Sequence, residues 1–171
     1  WDFGDGSPVF QQFASGTPNP PCHTYAAPGT YTIKLTTQGY CGVFSKTNTI
    51  CIEPPLSPQF TLSDTEFCTP GDVTTINTTN LTNNCSVTYQ WNVTYAAGYC
   101  GATSNWSFAN GTTATSANPS FSFINPGTYS ITLTATNSCG AVTTLPQTVI
   151  IKKPPTVTIN SIPNLCLTGP S

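Results

Sequence analysis

Apolar and polar side chains alternate with a period of two through most of this chain. Tyr129, Ile131, Leu133 and Ala135 alternate strictly with Thr128, Ser130, Thr132 and Thr134, the pattern of a strand with one face on a core and the other in water. Val87, Tyr89, Trp91 and Val93 alternate in the same way with Thr88, Gln90, Asn92 and Thr94, as do Ile50 and Ile52 with Thr49 and Cys51. No stretch shows the 3.6-residue period of an amphipathic helix. Pro28-Gly29, Pro70-Gly71, Asn110-Gly111 and Pro126-Gly127 punctuate the runs with turn residues, so the pattern predicts short antiparallel strands packed as an all-β sandwich.

The strand pattern repeats. Gly29-Thr30-Tyr31-Thr32-Ile33-Lys34-Leu35-Thr36 returns as Gly127-Thr128-Tyr129-Ser130-Ile131-Thr132-Leu133-Thr134, and Cys41-Gly42 returns as Cys139-Gly140, both 98 positions later. Thr61-Leu62 followed by Cys68 resembles Thr158-Ile159 followed by Cys166, and Pro54-Pro55 returns as Pro154-Pro155. Such a period is too long for a solenoid unit and suits tandem β-domains. Taking each unit to begin at its Pro pair divides the chain into the C-terminal part of one domain (1–54), a complete domain (55–153) and the first strand of another (154–171). A half sandwich with open edges over 1–54 is expected to be unstable alone. The linkers Glu53-Pro54-Pro55-Leu56-Ser57-Pro58 and Lys152-Lys153-Pro154-Pro155 are expected to be extended and semi-rigid, because proline fixes φ and biases the residue before it toward extended backbone.

Composition narrows the function. Only 6% of the 171 residues are charged, with four Lys, no Arg and a net charge of -2, which leaves no basic stripe for nucleic acid. No apolar run reaches the ~20 residues that a bilayer-spanning helix needs. The polar bias suggests disorder, yet 3 Trp, 7 Tyr and 9 Phe supply material for cores. A chain that opens directly on Trp1-Asp2-Phe3 reads as a section of something longer.

Trp1-Asp2-Phe3-Gly4-Asp5-Gly6-Ser7, then Asn19-Pro20, then His23-Thr24-Tyr25-Ala26-Ala27-Pro28-Gly29-Thr30-Tyr31, resembles the signature of the PKD (polycystic kidney disease) domain. The resemblance implies tandem immunoglobulin-like (PKD-type) β-sandwich domains joined by Pro-rich linkers, found extracellularly as repeats or as accessory modules of secreted enzymes. The second unit keeps Asn118-Pro119 and Asn125-Pro126-Gly127-Thr128-Tyr129, but its Asp-Gly motif is degraded to Trp106-Ser107-Phe108-Ala109-Asn110-Gly111-Thr112. Local similarity makes Trp106 the central-strand tryptophan; alternation makes it Trp91, with 94–106 as an inserted loop, and alternation is the reading favoured.

Eight cysteines without metal-type C-x-x-C spacing argue for disulfides and an oxidising, extracellular location, with free buried thiols as the alternative. Cys41 matches Cys139 in the repeat and Cys68 matches Cys166, so a bridge shared by every unit joins Cys68 to Cys139. Cys85 and Cys100 occur only in the second unit, and Cys22 and Cys51 only in the first, so each set is expected to pair with itself.

Catalytic and cofactor chemistry is thin. The single histidine, His23, lies in a strand-like string without a nucleophile motif, and beside Cys22 it would point to the opposite face. No active site and no cofactor are expected. Asp2 and Asp5 are the best candidates for a cation, since some domains of the resembled family bind Ca²⁺; as Asx-turn acceptors at Asp5-Gly6 they need none, and six to eight oxygens are not evident. No metal site is therefore assigned. N-x-S/T sequons at Asn77, Asn80, Asn84, Asn92, Asn105 and Asn110 would carry glycans in a secreted eukaryotic protein and arise by chance in so Thr- and Asn-rich a chain. Tyr95, Tyr99 and Trp106 either present aromatic faces to sugars or peptides or pack on the sandwich over a Cys85–Cys100 bridge.

The function expected from these features is a structural stalk or spacer section of a long secreted, cell-surface adhesin, its partners being neighbouring repeats and a surface polysaccharide or protein ligand. Thr-rich, low-charge PKD-like repeats with Cys-Gly after the Gly-Thr-Tyr strand resemble those of the giant adhesins of gliding Bacteroidetes, the SprB type, exported by type IX secretion. The alternatives are an accessory substrate-binding module of a secreted hydrolase and a matrix or filament subunit.

Overall fold

The computed structural model describes residues 1–12, 22–96 and 103–159. In the first repeat, β1 (Gly29–Gly39) and β2 (Gly42–Ile52) form one uninterrupted antiparallel hairpin, in register from Gly29 opposite Ile52 to Gly39 opposite Gly42. Tyr31, Ile33 and Leu35 are half-buried on one face, while Thr30, Thr32 and Lys34 are exposed on the other. The N-terminal segment joins the free edge of β1 through a two-way backbone bridge between Asp2 and Lys34.

The second repeat contains β3 (Phe60–Leu62), β4 (Glu66–Cys68), β5 (Gly71–Asn77), β6 (Thr88–Ala96), β7 (Trp106–Ala109), β8 (Ser120–Phe123), β9 (Gly127–Asn137), β10 (Gly140–Thr143) and β11 (Gln147–Lys152). One sheet has β9 at its centre, β6 along one edge and β10 followed by β11 along the other, with β4 parallel to β11. The other sheet runs β3-β5-β8-β7, and the two pack as the immunoglobulin-like sandwich that the alternation and the resemblance implied. Among the described residues there is no helix, hence none long and apolar enough to cross a membrane.

The alternation predicted on β9 places Tyr129, Ile131, Leu133 and Ala135 in full burial against Val73, Phe121, Phe123 and Val149. Trp91 is 2% exposed, lies edge-on to Phe60 at 4.9 Å, and donates its indole N–H to the Ser116 carbonyl at 2.9 Å. That carbonyl bond removes the cost of burying the one polar atom of the ring. Each Gly-Thr-Tyr motif makes the same local bond: Tyr129 donates to the carbonyl of Asn125 and Tyr31 to that of Ala27, four residues upstream in both cases. The repeated sequence therefore encodes a repeated strand entry, with the tyrosine tying the preceding Pro-Gly turn to the core.

Register matches the tryptophans of the two repeats. Asp2 faces Lys34, and Asn92 faces Thr132, which is the counterpart of Lys34 in the repeat. Trp1 is thus the equivalent of Trp91, and the backbone of each bonds to a returning segment, the Trp1 carbonyl accepting the Phe10 amide and the Trp91 amide donating to Ala114. Trp106 instead opens β7 and packs half-buried on Phe108 and Phe121. The expected inserted loop over 94–106 is shorter than its sequence suggested: β6 runs on to Ala96, and β7 begins at Trp106. In the first repeat the same strand stops after Phe3, where Gly4 and Gly6 take positive φ.

One residue separates the two hairpins. The edge strand of the second repeat is broken between β10 and β11, and the pairing with β9 shifts by one position across Thr144, Leu145 and Pro146. Pro146 has no N–H for the ladder, so the strand bulges there, and the Thr144 hydroxyl accepts the Leu133 amide instead.

Candidate functional site

The densest polar construction among the described residues lies where the first repeat meets the second. Cys51, next to last in β2, is disulfide-bonded to Cys85 in the loop before β6. Two residues on, the Glu53 carboxylate accepts three backbone N–H groups: Cys85 at 2.7 Å and Ser86 at 2.9 Å on Oε1, and Ser138 at 2.8 Å on Oε2. Its carbonyl accepts the Cys139 thiol at 3.1 Å, and the next carbonyl, of Pro54, accepts the Asn137 amide. That Asn137 amide group also donates to the Asn84 side-chain oxygen at 2.7 Å, joining the loop before β6 to the turn after β9.

An anion that accepts several N–H bonds is favoured over its neutral acid. The Ser138 hydroxyl, with the N–H groups of Ser86, Ser138 and Cys85, holds the Glu53 carboxyl down at about 2, against a small opposing effect of burial. Beyond it the linker docks: Leu56, Pro58 and Phe60 are buried while Pro55, Ser57 and Gln59 are exposed, so this segment is extended as expected and packs on the second repeat as a strand-like edge. Cys51 Sγ, Cys85 Sγ and a Glu53 carboxylate oxygen lie within 4.8 Å of one another, but the two sulfurs share a bond and leave no thiolate for a metal.

This bridge corrects the predicted pairings. Cys51 is bonded to Cys85, so neither Cys22–Cys51 nor Cys85–Cys100 is formed; Cys100 and Cys166 lie outside the described residues. Cys68–Cys139 fails on distance. Cys68 sits opposite Lys152, beside the Ile151–Gly127 pair at the start of β9, whereas Cys139 lies just past the end of β9 at Asn137. The eleven-residue β9 sets them roughly 33 Å apart, when a disulfide needs Cα atoms within about 7 Å. Among the described residues Cys22, Cys41, Cys68 and Cys139 are unbridged, and they are exposed rather than the buried thiols of the alternative.

The other candidate residues gather at the N-terminal turn. Asp2 Oδ1 accepts the Gly4 amide at 2.9 Å and Asp5 Oδ1 accepts the Ser7 amide at 3.0 Å, successive Asx turns. Asp5 Oδ2 lies 2.7 Å from His23 Nε2, and the imidazole stacks on Phe3 at 4.1 Å and meets Tyr25 edge-on. The Ser7 hydroxyl, His23 and the Ser7 amide together hold the Asp5 carboxyl down at about 2. Every one of these contacts ties the turn to the first repeat. Tyr95 and Trp106 pack on the sandwich rather than standing free, Tyr95 against Tyr129 at 4.9 Å; Tyr99 lies outside the described residues.

Glu53 and its partners Ser86, Ser138 and Asn137 were not singled out by the sequence. The available signal was a lone acidic residue between Cys51-Ile52 and Pro54-Pro55 in a linker otherwise uncharged.

A family model described as PKD domain matches residues 1–53 and again residues 58–152. No curated protein matches the chain.

Proposed function

The chain belongs to the PKD domain family, whose members are typically extracellular modules, and on that premise we propose that it is a spacer section of a long secreted surface protein. The observation that carries this reading is the joint: a disulfide, a buried linker edge and a carboxylate with three N–H partners all run between successive repeats. A free binding module gains nothing from being fixed to its neighbour, whereas a stalk transmits load only if its joints resist bending. A covalent bridge persists in the oxidising compartment where such modules work. The reading assigns no catalysis to the chain, since His23 is engaged by Asp5, Phe3 and Tyr25.

The finer proposal follows from the resemblance to the adhesins of gliding Bacteroidetes exported by type IX secretion. In it the repeats extend an adhesive tip from the cell surface, with neighbouring repeats as partners along the array and a polysaccharide or protein ligand at its end. The domains are proposed as 1–54, 55–153 and 154–171.

Small-angle scattering on the chain, with and without EDTA, tests the spacer. An elongated particle of fixed maximum dimension, unchanged by EDTA, is expected. A freely jointed particle would overturn the reading, and stiffness lost on adding EDTA would give Asp2 and Asp5 a cation to hold.

A further inference from the structure

Three cysteines meet at the joint. Cys51 and Cys85 are bonded, and Cys139 is an exposed thiol whose Sγ donates to the same Glu53 that accepts the Cys85 amide. The pairing of β6 with β9 ends at Thr88 opposite Thr136. Beyond that pair β9 turns into β10 at Ser138-Cys139, since Asn137 already faces Gly140, and the loop that carries Cys85 lies against this turn. Two contacts hold loop and turn together: the Glu53 carboxylate accepts Cys85 and Ser86 on one oxygen and Ser138 on the other, and the Asn84 side chain accepts from that of Asn137. Cys85 and Ser138 thus share one carboxylate, and Cys139, the next residue, has its Sγ 3.1 Å from the carbonyl oxygen of that same Glu53, which places a free thiol beside the bridge.

We infer that Cys139 is an exchange thiol for the joint. Its thiolate attacks Cys85 Sγ; the Cys85–Cys139 bond forms as the Cys51–Cys85 bond breaks, and Cys51 leaves as the thiolate and takes up a proton from solvent in place of the one Cys139 gave up. One disulfide and one thiol stand on each side of this step, so no oxidant or reductant is consumed. Before exchange the bridge spans two repeats; afterwards it closes within the second. The Glu53 bonds and the Leu56 and Pro58 packing are then the remaining ties, and the joint has a clamped and an unclamped form at one oxidation state. Cys41 and Cys68 are excluded from this exchange by position, Cys41 at the far tip of the β1–β2 hairpin from Cys51 and Cys68 at the far end of β9.

The inference rests on the geometry of the joint and not on the spacer reading, which scattering tests separately. The chain is held in oxygen-free, mildly alkaline buffer, quenched in acid at intervals, trapped with N-ethylmaleimide and digested with pepsin. Expected is a Cys85–Cys139 peptide that grows with time while the maleimide label moves from Cys139 to Cys51. Cys139→Ser should lose that peptide and keep Cys51–Cys85. Cys51→Ser, oxidised in air, should convert fully to Cys85–Cys139, with unchanged far-ultraviolet circular dichroism as the folding control. A wild-type chain that yields only Cys51–Cys85, or a folded Cys51→Ser chain that leaves Cys85 and Cys139 both as thiols, overturns the inference.

Discussion

At Gly4 the backbone takes φ +75°, and a Cβ built there would stand 2.4 Å from the Thr32 carbonyl oxygen. The Asx turn made by Asp2 demands that conformation, and the approach to β1 demands the missing side chain. Gly4→Ala is therefore expected to destabilise the first repeat by roughly 1–3 kcal/mol, the usual cost of forcing a side chain into such a region. Hydrogen exchange on the β1 and β2 amides reads it: protection should fall there and hold in β9, and an unchanged β1 would refute the argument. Trp91 shows how far single residues were legible. Alternation alone placed it in the core, because burial on one face of a strand imposes a period of two whatever the loops do. Local similarity pointed to Trp106, since a Trp-x-Phe string carries no register of its own.

Among the elements, the two hairpins share a motif and differ by a bulge, and the Pro146 that causes it is visible in the sequence. The linker was harder to read. Its prolines announced an extended segment, but the role of Glu53 depends on N–H groups that lie 32, 33 and 85 positions away. The sign of its pH dependence follows from the lowered carboxyl, about 2 when folded against 4.5 otherwise. Such a group contributes stability fully above pH 4.5, and the contribution disappears as pH falls toward 2. Glu53→Gln should accordingly lower the urea midpoint of the second repeat at pH 6 and make no difference at pH 2. A deficit that persists at pH 2 would mean that the substitution acts through packing and not through charge.

For the whole molecule, the disulfide closes a separation of 34 residues across the joint. By loop entropy alone it contributes roughly 3–4 kcal/mol against unfolding. Cys85→Ser removes this bridge and the partner of any exchanged one, so it should bring the unfolding of the two repeats apart into separate transitions. Calorimetry that still shows one transition at the wild-type temperature would mean that the non-covalent contacts suffice. The pairing itself could not be read from the sequence. Matching cysteines by repeat position assumed that bridges stay within units, and β9 is long enough to hold Cys68 and Cys139 at opposite ends. The sequence by itself determined which faces are buried, where strands enter from Pro-Gly turns, and the family, because each follows from periodicity or from contacts a few residues apart. Only the tertiary structure decided that Cys51 meets Cys85, that Glu53 anchors the joint, and that Cys139 stands beside them. Those neighbours are set by which strand ends packing brings together, and no local pattern carries that information.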